Sequence, residues 1–270
     1  MTRDMATDVA LSAADVGKSF GTGESRVEVI HGLTLQVRTG DVTCLVGPSG
    51  VGKTTLLRLL AGLAAPSTGS VSLAGEEITE PSEKIAVVFQ DYRGSLMPWM
   101  KVADNVAFPL EGRGVGKVER RRRASEALEV VGLGGNEDKY PWQLSGGMQQ
   151  RVAIARALAY EAPIMLMDEP FGSLDAQTRF DLEDLVLRLR NEIGITIVVV
   201  THDIDEAVYL GDRVVVLGGR PSSIVDDVEV PLGRERTQLT TKSTPTFVEL
   251  RTRVLGEIQQ NGLTPAAVTE

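Results

Sequence analysis

The stretch Val42-Thr43-Cys44-Leu45-Val46-Gly47-Pro48-Ser49-Gly50-Val51-Gly52-Lys53-Thr54-Thr55-Leu56-Leu57-Arg58-Leu59-Leu60-Ala61-Gly62 decides how this chain is read. Its first five residues are an apolar run of strand length, and Thr55 to Ala61 reads as a helix stopped at Gly62. Between them, Gly47 to Thr54 satisfies G-x-x-x-x-G-K-[ST] in the setting that motif needs, strand before and helix after. Glycines let backbone N–H groups turn toward phosphate oxygens with no Cβ in the way, and the following helix aims its positive end at the same point. Lys53 adds a full charge for the β- and γ-phosphates, and Thr54 offers a hydroxyl to Mg²⁺. By itself the loop says nucleoside triphosphate and leaves kinase, GTPase, motor and transport ATPase open.

Outward from the loop, Ile164 to Met167 is a buried-strand pattern ending in Asp168-Glu169. A carboxylate at the C-terminal tip of a neighbouring parallel strand reaches Mg²⁺ beside a phosphate loop, which suits Asp168. Glu169, one residue on, points elsewhere and suits orienting or deprotonating an attacking water. Met165 and Met167 read as core filler. Further strands are predicted at Ile85 to Phe89, Thr196 to Val200 and Arg213 to Leu217. A helix over Ala176 to Ile193 places Leu182, Leu185, Val186, Leu189 and Ile193 on one face, with Gly194 as its cap. Strands alternating with helices imply an α/β fold with a largely parallel sheet covered on both sides.

Two regions interrupt that alternation. Val27, Val29, Leu33, Leu35 and Val37 have a period close to two, broken at His31-Gly32, which predicts short N-terminal strands. From Asp91 to Tyr160 strand signals are few; helices over Val118 to Val131 and Gln149 to Ala159, with a loop at Gly112 to Gly116, read as an inserted helical subdomain. Beyond Pro231 the chain is polar and is expected to carry one amphipathic helix, with Phe247, Leu250, Val254 and Ile258 as its stripe.

Composition narrows the function. The 270 residues carry a formal net charge of -9, which argues against a chain built to coat nucleic acid. Arg120 to Arg123 therefore reads as a solvated helix face between Glu119 and Glu126. The single cysteine, Cys44, sits in an apolar run and excludes an intrachain disulfide; it reads as a small buried hydrophobe. Met1 to Ala10 lacks the apolar region of a signal peptide, and no stretch has the roughly 18 consecutive apolar residues of a spanning helix. Work at a membrane would need a partner.

Leu144-Ser145-Gly146-Gly147-Met148-Gln149-Gln150-Arg151, before a helix and upstream of Asp168-Glu169, makes the chain resemble an ABC (ATP-binding cassette) ATPase from about Leu11 to Leu232. The motifs stand in that family's order: the phosphate loop, Gln90, the signature at Leu144 to Met148, Asp168-Glu169, Ser173-Leu174-Asp175 and His202. The signature departs from the commonest form only in Met148. The resemblance implies a P-loop (RecA-like) parallel core at 41–90 and 160–230, an antiparallel β part at 10–40, a helical subdomain at 91–159 and a tail at 233–270.

It also implies roles. ATP is contacted by Phe20 (stacking on adenine), by Gly47, Pro48, Ser49, Gly50, Val51, Gly52, Lys53, Thr54 and Thr55, and by Ser145, Gly146, Gly147 and Asp175. Mg²⁺ is held by Thr54, Gln90 and Asp168, and the chemistry falls to Glu169, His202 and Gln90. Asp203, Asp205 and Glu206 are expected only to favour a helix N-terminus. The signature of one subunit is expected on the γ-phosphate held by another, in a head-to-tail dimer of two copies or of homologous ATPases.

Pro98-Trp99, Tyr140-Pro141, Thr201 to Ala207 and Gly219-Arg220-Pro221 bring the chain closest to the nitrate/sulfonate/taurine importer ATPases. That implies permease partners, an indirect link to a substrate-binding protein, a peripheral place on the cytoplasmic face of the inner membrane and no nucleic acid. The permease is expected to insert a short helix into a groove near Gln90 to Met100. An exporter ATPase and a soluble non-transport ABC ATPase are the alternatives.

Overall fold

The computed structural model describes residues 9–261. Strands β1 (Val9–Phe20), β2 (Val27–Arg38) and β3 (Val42–Val46) precede helix α1 (Lys53–Leu60). Then come β4 (Thr68–Leu73), β5 (Glu76–Glu77) and β6 (Ile85–Val88). Helices α2 (Tyr92–Ser95), α3 (Val102–Ala107), α4 (Pro109–Gly112), α5 (Lys117–Val130) and α6 (Gly146–Ala159) fill the stretch before β7 (Ile164–Asp168). The chain continues through α7 (Ala176–Arg188), β8 (Thr196–Val200), α8 (Ile204–Leu210), β9 (Arg213–Gly218), β10 (Ser223–Glu229), α9 (Gln238–Lys242) and α10 (Pro245–Asn261).

The central sheet has the order β10-β9-β3-β8-β7-β6. Pairing is parallel from β9 to β6, with β10 antiparallel on the edge. β3, β7 and β8 are buried along their whole length because both faces of the sheet are covered there. Cys44, Met165, Met167, Ile197 and Val199 face α6, α7 and α8. Leu45, Leu166, Val198 and Val200 face α1 and the second sheet. Cys44 is fully buried, and Met165 and Met167 fill the core as their sequence context suggests.

The second sheet, order β2-β1-β4-β5, is antiparallel. It differs from the sequence expectation in two ways. β2 runs unbroken past His31-Gly32, because bulges opposite it in β1, between Ala13 and Lys18, restore the pairing. The sheet also recruits Thr68 to Glu77, which the sequence reading assigned to the core at 41–90; this short segment buries only Val71 and Leu73 and leaves little periodic signal. The edge strand β10 was likewise unanticipated, since its Ser-Ile-Val-Asp-Asp-Val-Glu run buries only Val228.

Two helical expectations need correction. The helix that opens at Ala176 keeps α-geometry to Arg188, and Leu189 to Ile193 then winds as a π turn. The wider turn swings Ile193 off the apolar face, leaving it 55% exposed, while Gly194 closes the helix at φ 73°. The segment after Pro231 holds two helices rather than one. α10 buries Phe247 and Val254, with Leu250 and Ile258 partly covered, against α8, β9 and β10.

Of the Arg120 to Arg123 run, Arg121 and Arg122 are exposed, as a solvated face requires, while Arg120 and Arg123 are half-buried; Arg120 pairs with Glu111, Arg122 with Glu119 and Glu126, and Arg123 with Glu119 and Glu161. No helix among the described residues is long and apolar enough to cross a membrane.

Candidate active site

The phosphate loop leaves β3 in the middle of the sheet and enters α1. At Gly50 and Gly52 the backbone has φ of 76° and 105°, a region that penalises any side chain. Gly52 is the N-cap of α1, so the free N–H groups of its first turn face the loop. Lys53 is buried and donates from Nζ to the carbonyls of Gly47 at 2.8 Å and Pro48 at 3.1 Å. Burial pushes its ammonium pKa down, against the opposing charges of Glu169 and Asp168. The carbonyls that hold Lys53 are neutral, so its ammonium has no anionic hydrogen-bond partner in the loop itself, and an anion at this point would be held by a charge-assisted bond.

β7 neighbours β8 in the sheet and brings its tip to the same place. Thr54 Oγ1 donates to Asp168 Oδ1 at 3.1 Å. Burial raises the Asp168 carboxyl, the Thr54 bond opposes that, and the neighbouring Glu169 adds to the rise. No group of three or more His, Cys, Asp or Glu side chains among the described residues forms a metal cage. One hydroxyl and one carboxylate are the donor set of a hard cation that keeps waters and takes its other ligands from phosphate oxygens, so Thr54 and Asp168 fit Mg²⁺ arriving with a nucleotide.

Glu169 is where the remaining side chains converge. Its backbone is left-handed at φ 43°, uncommon for a residue with a side chain, while its N–H donates to Val200 O at 2.8 Å. Oε2 accepts from Gln90 Nε2 at 3.2 Å and lies 3.2 Å from His202 Nδ1. Gln90 leaves the end of β6 and His202 the end of β8, so three neighbouring strand tips meet on one carboxylate. Phe20 lies at the end of β1, 49% exposed, with Lys18 Nζ 5.2 Å from its ring centroid.

The signature residues stand apart from this cluster. Ser145 caps α6, its Oγ accepting from Met148 N at 3.4 Å, so that helix begins three residues before the Gln149 expected from the sequence. Gly147 packs where a Cβ would overlap Thr178 Cγ2 on α7. Asp175 caps α7, with Oδ1 accepting from Thr178 N at 3.0 Å and Oδ2 from Thr178 Oγ1 at 2.7 Å. No hydrogen bond of Ser145 to Gly147 reaches Gly47 to Thr55 among the described residues. Of the sequence-derived site residues, the structure brings Lys53, Thr54, Gln90, Asp168, Glu169 and His202 together; among the described residues no hydrogen bond brings Phe20, Ser145 to Gly147 or Asp175 to that group.

One residue escaped the sequence reading. Arg179 spans the site, with Nη1 3.3 Å from Asp203 Oδ2 and Nη2 donating to Leu174 O at 3.4 Å. A charged residue early in an amphipathic helix gives no sign of this. Glu206 is a correction: Asp203 does cap α8, but Glu206 is 4% exposed and points inward rather than serving the helix end.

Comparison with known proteins agrees with this geometry. The ABC transporter family model matches residues 30–172. An uncharacterized ABC transporter ATP-binding protein of Methanocaldococcus jannaschii is 46% identical, over 94% of this chain and 93% of that protein. The taurine import ATP-binding protein TauB of Chromobacterium violaceum is 44% identical, over 85% of this chain and 88% of its own length. The cyanobacterial nitrate and bicarbonate transport proteins it also matches are longer, and the chain spans 36% and 38% of them. A solved dimer of an ATP-binding cassette in a post-hydrolysis state, bound to ADP and Pi, superposes with a TM-score of 0.72 at 33% identity, covering 82% of this chain and 98% of that one. A phosphate loop joined to Asp168 and Glu169, a separate signature turn and these likenesses together make one statement: the chain belongs to the ABC transporter family and is an ATP- and Mg²⁺-using ATPase.

Proposed function

We propose that this chain powers the import of a small solute, as one of two ATPase subunits docked on membrane permeases. The carrying observation is the split between its two phosphate-directed turns. Gln90 and His202 meet on the Glu169 carboxylate beside Lys53 and Thr54, while Ser145 to Gly147 cap α6 and brace it on α7 and make no hydrogen bond to that phosphate loop among the described residues. A head-to-tail pair supplies each phosphate loop with its partner's signature turn, and Asp175 then lies at the seam.

In this reading Lys53 and the loop N–H groups bind the phosphates, Phe20 stacks on the base, and Thr54, Gln90 and Asp168 hold Mg²⁺. Bound there, Mg²⁺ would supply positive charge to offset the charge on the phosphates. Glu169 accepts a proton from the attacking water while His202 and Gln90 fix its carboxylate. A cleft of about 560 Å³ beside Gln90, lined by Glu83, Val87, Phe89, Pro109 and Tyr160, suits a short permease helix. The segment next to it is held by buried Asn105, which accepts from Met97 N and donates to the Met97 and Met100 carbonyls, leaving Trp99 73% exposed. Docking there puts the chain on the cytoplasmic face of the membrane. The cargo class is that of the nitrate, sulfonate and taurine importers, and it touches the permease rather than this subunit.

Two measurements test the proposal. Glu169→Gln should lower kcat by about 100-fold or more, the scale of a lost general base, while ATP binding persists and the dimer becomes long-lived. Normal hydrolysis by that variant would remove Glu169 from its role. Cells lacking the chain should lose uptake of labelled nitrate, taurine or an alkanesulfonate and regain it with the wild-type chain but not with Glu169→Gln. Loss of efflux with uptake intact would refute import.

A further inference from the structure

Behind the Glu169–His202 pair lies a small cavity of about 30 Å³, lined by Glu169, Arg179, Thr201, His202, Asp203 and Glu206. Two of the polar atoms on these residues, Arg179 Nε and Glu206 Oε1, are buried and have no hydrogen-bond partner within the protein. One is a donor and the other an acceptor, and leaving either unpaired in the interior is costly. A cavity of roughly 10–15 Å³ already accommodates a water, which needs two to four polar partners. The space and the two unpaired atoms meet that requirement.

The rest of the arginine makes the position consequential. Its Nη2 donates to Leu174 O, one residue before Asp175, and its Nη1 pairs with Asp203, one residue after His202. A single guanidinium therefore ties the turn at the start of α7 to the loop that carries His202. Its third edge, Nε, is left for the cavity.

We propose that Arg179 and Glu206 share one bound water in this cavity, and that the buried link makes both of them positioning residues for the Glu169–His202 pair. The inference rests on the reading of Glu169 as the base. The interior favours the neutral form of Glu206. Burial chiefly raises its carboxyl pKa, and Glu183 of α7 and Asp203 raise it further, against Thr201 and Arg179. Cys44 of β3, on the other side, brings no charge, since burial holds its thiol protonated. A neutral carboxyl group offers the water both an acceptor and an O–H, as a glutamine offers an acceptor and an N–H.

The experiment measures kcat and KM for ATP on the full chain carrying Glu206→Gln, Glu206→Leu, Arg179→Lys or Arg179→Lys/Glu206→Leu, beside Glu169→Gln. Arg179→Lys keeps the charge facing Asp203 but has no Nε edge. Glu206→Leu and Arg179→Lys should each lower kcat about tenfold with KM within about twofold, as expected when reacting groups are misplaced rather than removed. Their combination should lose no more than the worse single variant, because both break the same bridge. Glu206→Gln should retain at least about a third of wild-type kcat, since it restores a neutral polar partner of the same length.

Wild-type kcat in Arg179→Lys or Glu206→Leu, additive losses in the pair, or Glu206→Gln as impaired as Glu206→Leu would each overturn the proposal. If Glu206→Leu does not fold, the contrast of Arg179→Lys with Glu206→Gln decides it alone. Full hydrolysis by Glu169→Gln would instead remove the assignment of the base, a distinguishable failure.

Discussion

The phosphate loop and the signature turn are built from the same parts and finished in opposite ways. Each is a glycine-containing turn at a helix N-terminus, where unpaired N–H groups gather. The loop at Gly47 to Thr54 leaves a fully buried strand, and its Thr54 is bonded to Asp168 on β7, two strands away in the sheet. The turn at Ser145 to Gly147 is closed by its own serine and braced against α7. One has its acids, amide and imidazole around it; the other has only a surface. The contrast shows why a motif that reads as phosphate-binding twice in one chain describes two halves of different sites.

The sharpest way to break that comparison is a mixing experiment. Glu169→Gln and Gly146→Asp, the latter placing a carboxylate against an anion, should each lose about 100-fold in activity alone. Mixed one to one, they should recover about a quarter of wild-type activity, because half of the dimers then hold one intact composite site. No recovery would mean that each chain completes its own site.

A smaller effect separates the two glycine turns by what their glycines do. Gly147→Ala should destabilise the chain by about 1–3 kcal/mol through overlap with Thr178 Cγ2. Thr178→Ser in the same chain removes that methyl and should restore most of the melting temperature. If it restores nothing, the close approach of α6 and α7 is not the reason for the glycine. The smallest effect concerns the strand beneath the phosphate loop. Cys44 is fully buried, and burial pushes its thiol pKa well up, so native protein should resist alkylation at neutral pH while unfolded protein reacts. Rapid native modification would mean that β3 opens locally.

What was legible beforehand follows a pattern. The core strands were readable because burial on both faces demands unbroken apolar runs, as in Val42 to Val46 and Thr196 to Val200. The strands at 68–77 and 223–229 were not, since short strands of the smaller sheet and the edge strand of the larger are paired by backbone and bury few apolar side chains to count. The acidic residues at the start of α8 show the same limit. Asp203 and Glu206 are alike in composition, yet one caps the helix and the other is sealed behind His202.

The amino-acid sequence by itself determined the chemistry: a phosphate loop with its lysine and threonine, two adjacent acids at a strand end, and a second anion-directed turn. Those depend on residue type and local spacing, which a linear string records. Tertiary structure decided which of them meet. Residues 90, 169 and 202 converge because parallel pairing sets the tips of β6, β7 and β8 side by side, and the signature turn stays away because α6 packs on α7 instead. It also gave Arg179 and Glu206 their place, since a water-sized cavity between distant segments exists only once the helices have packed.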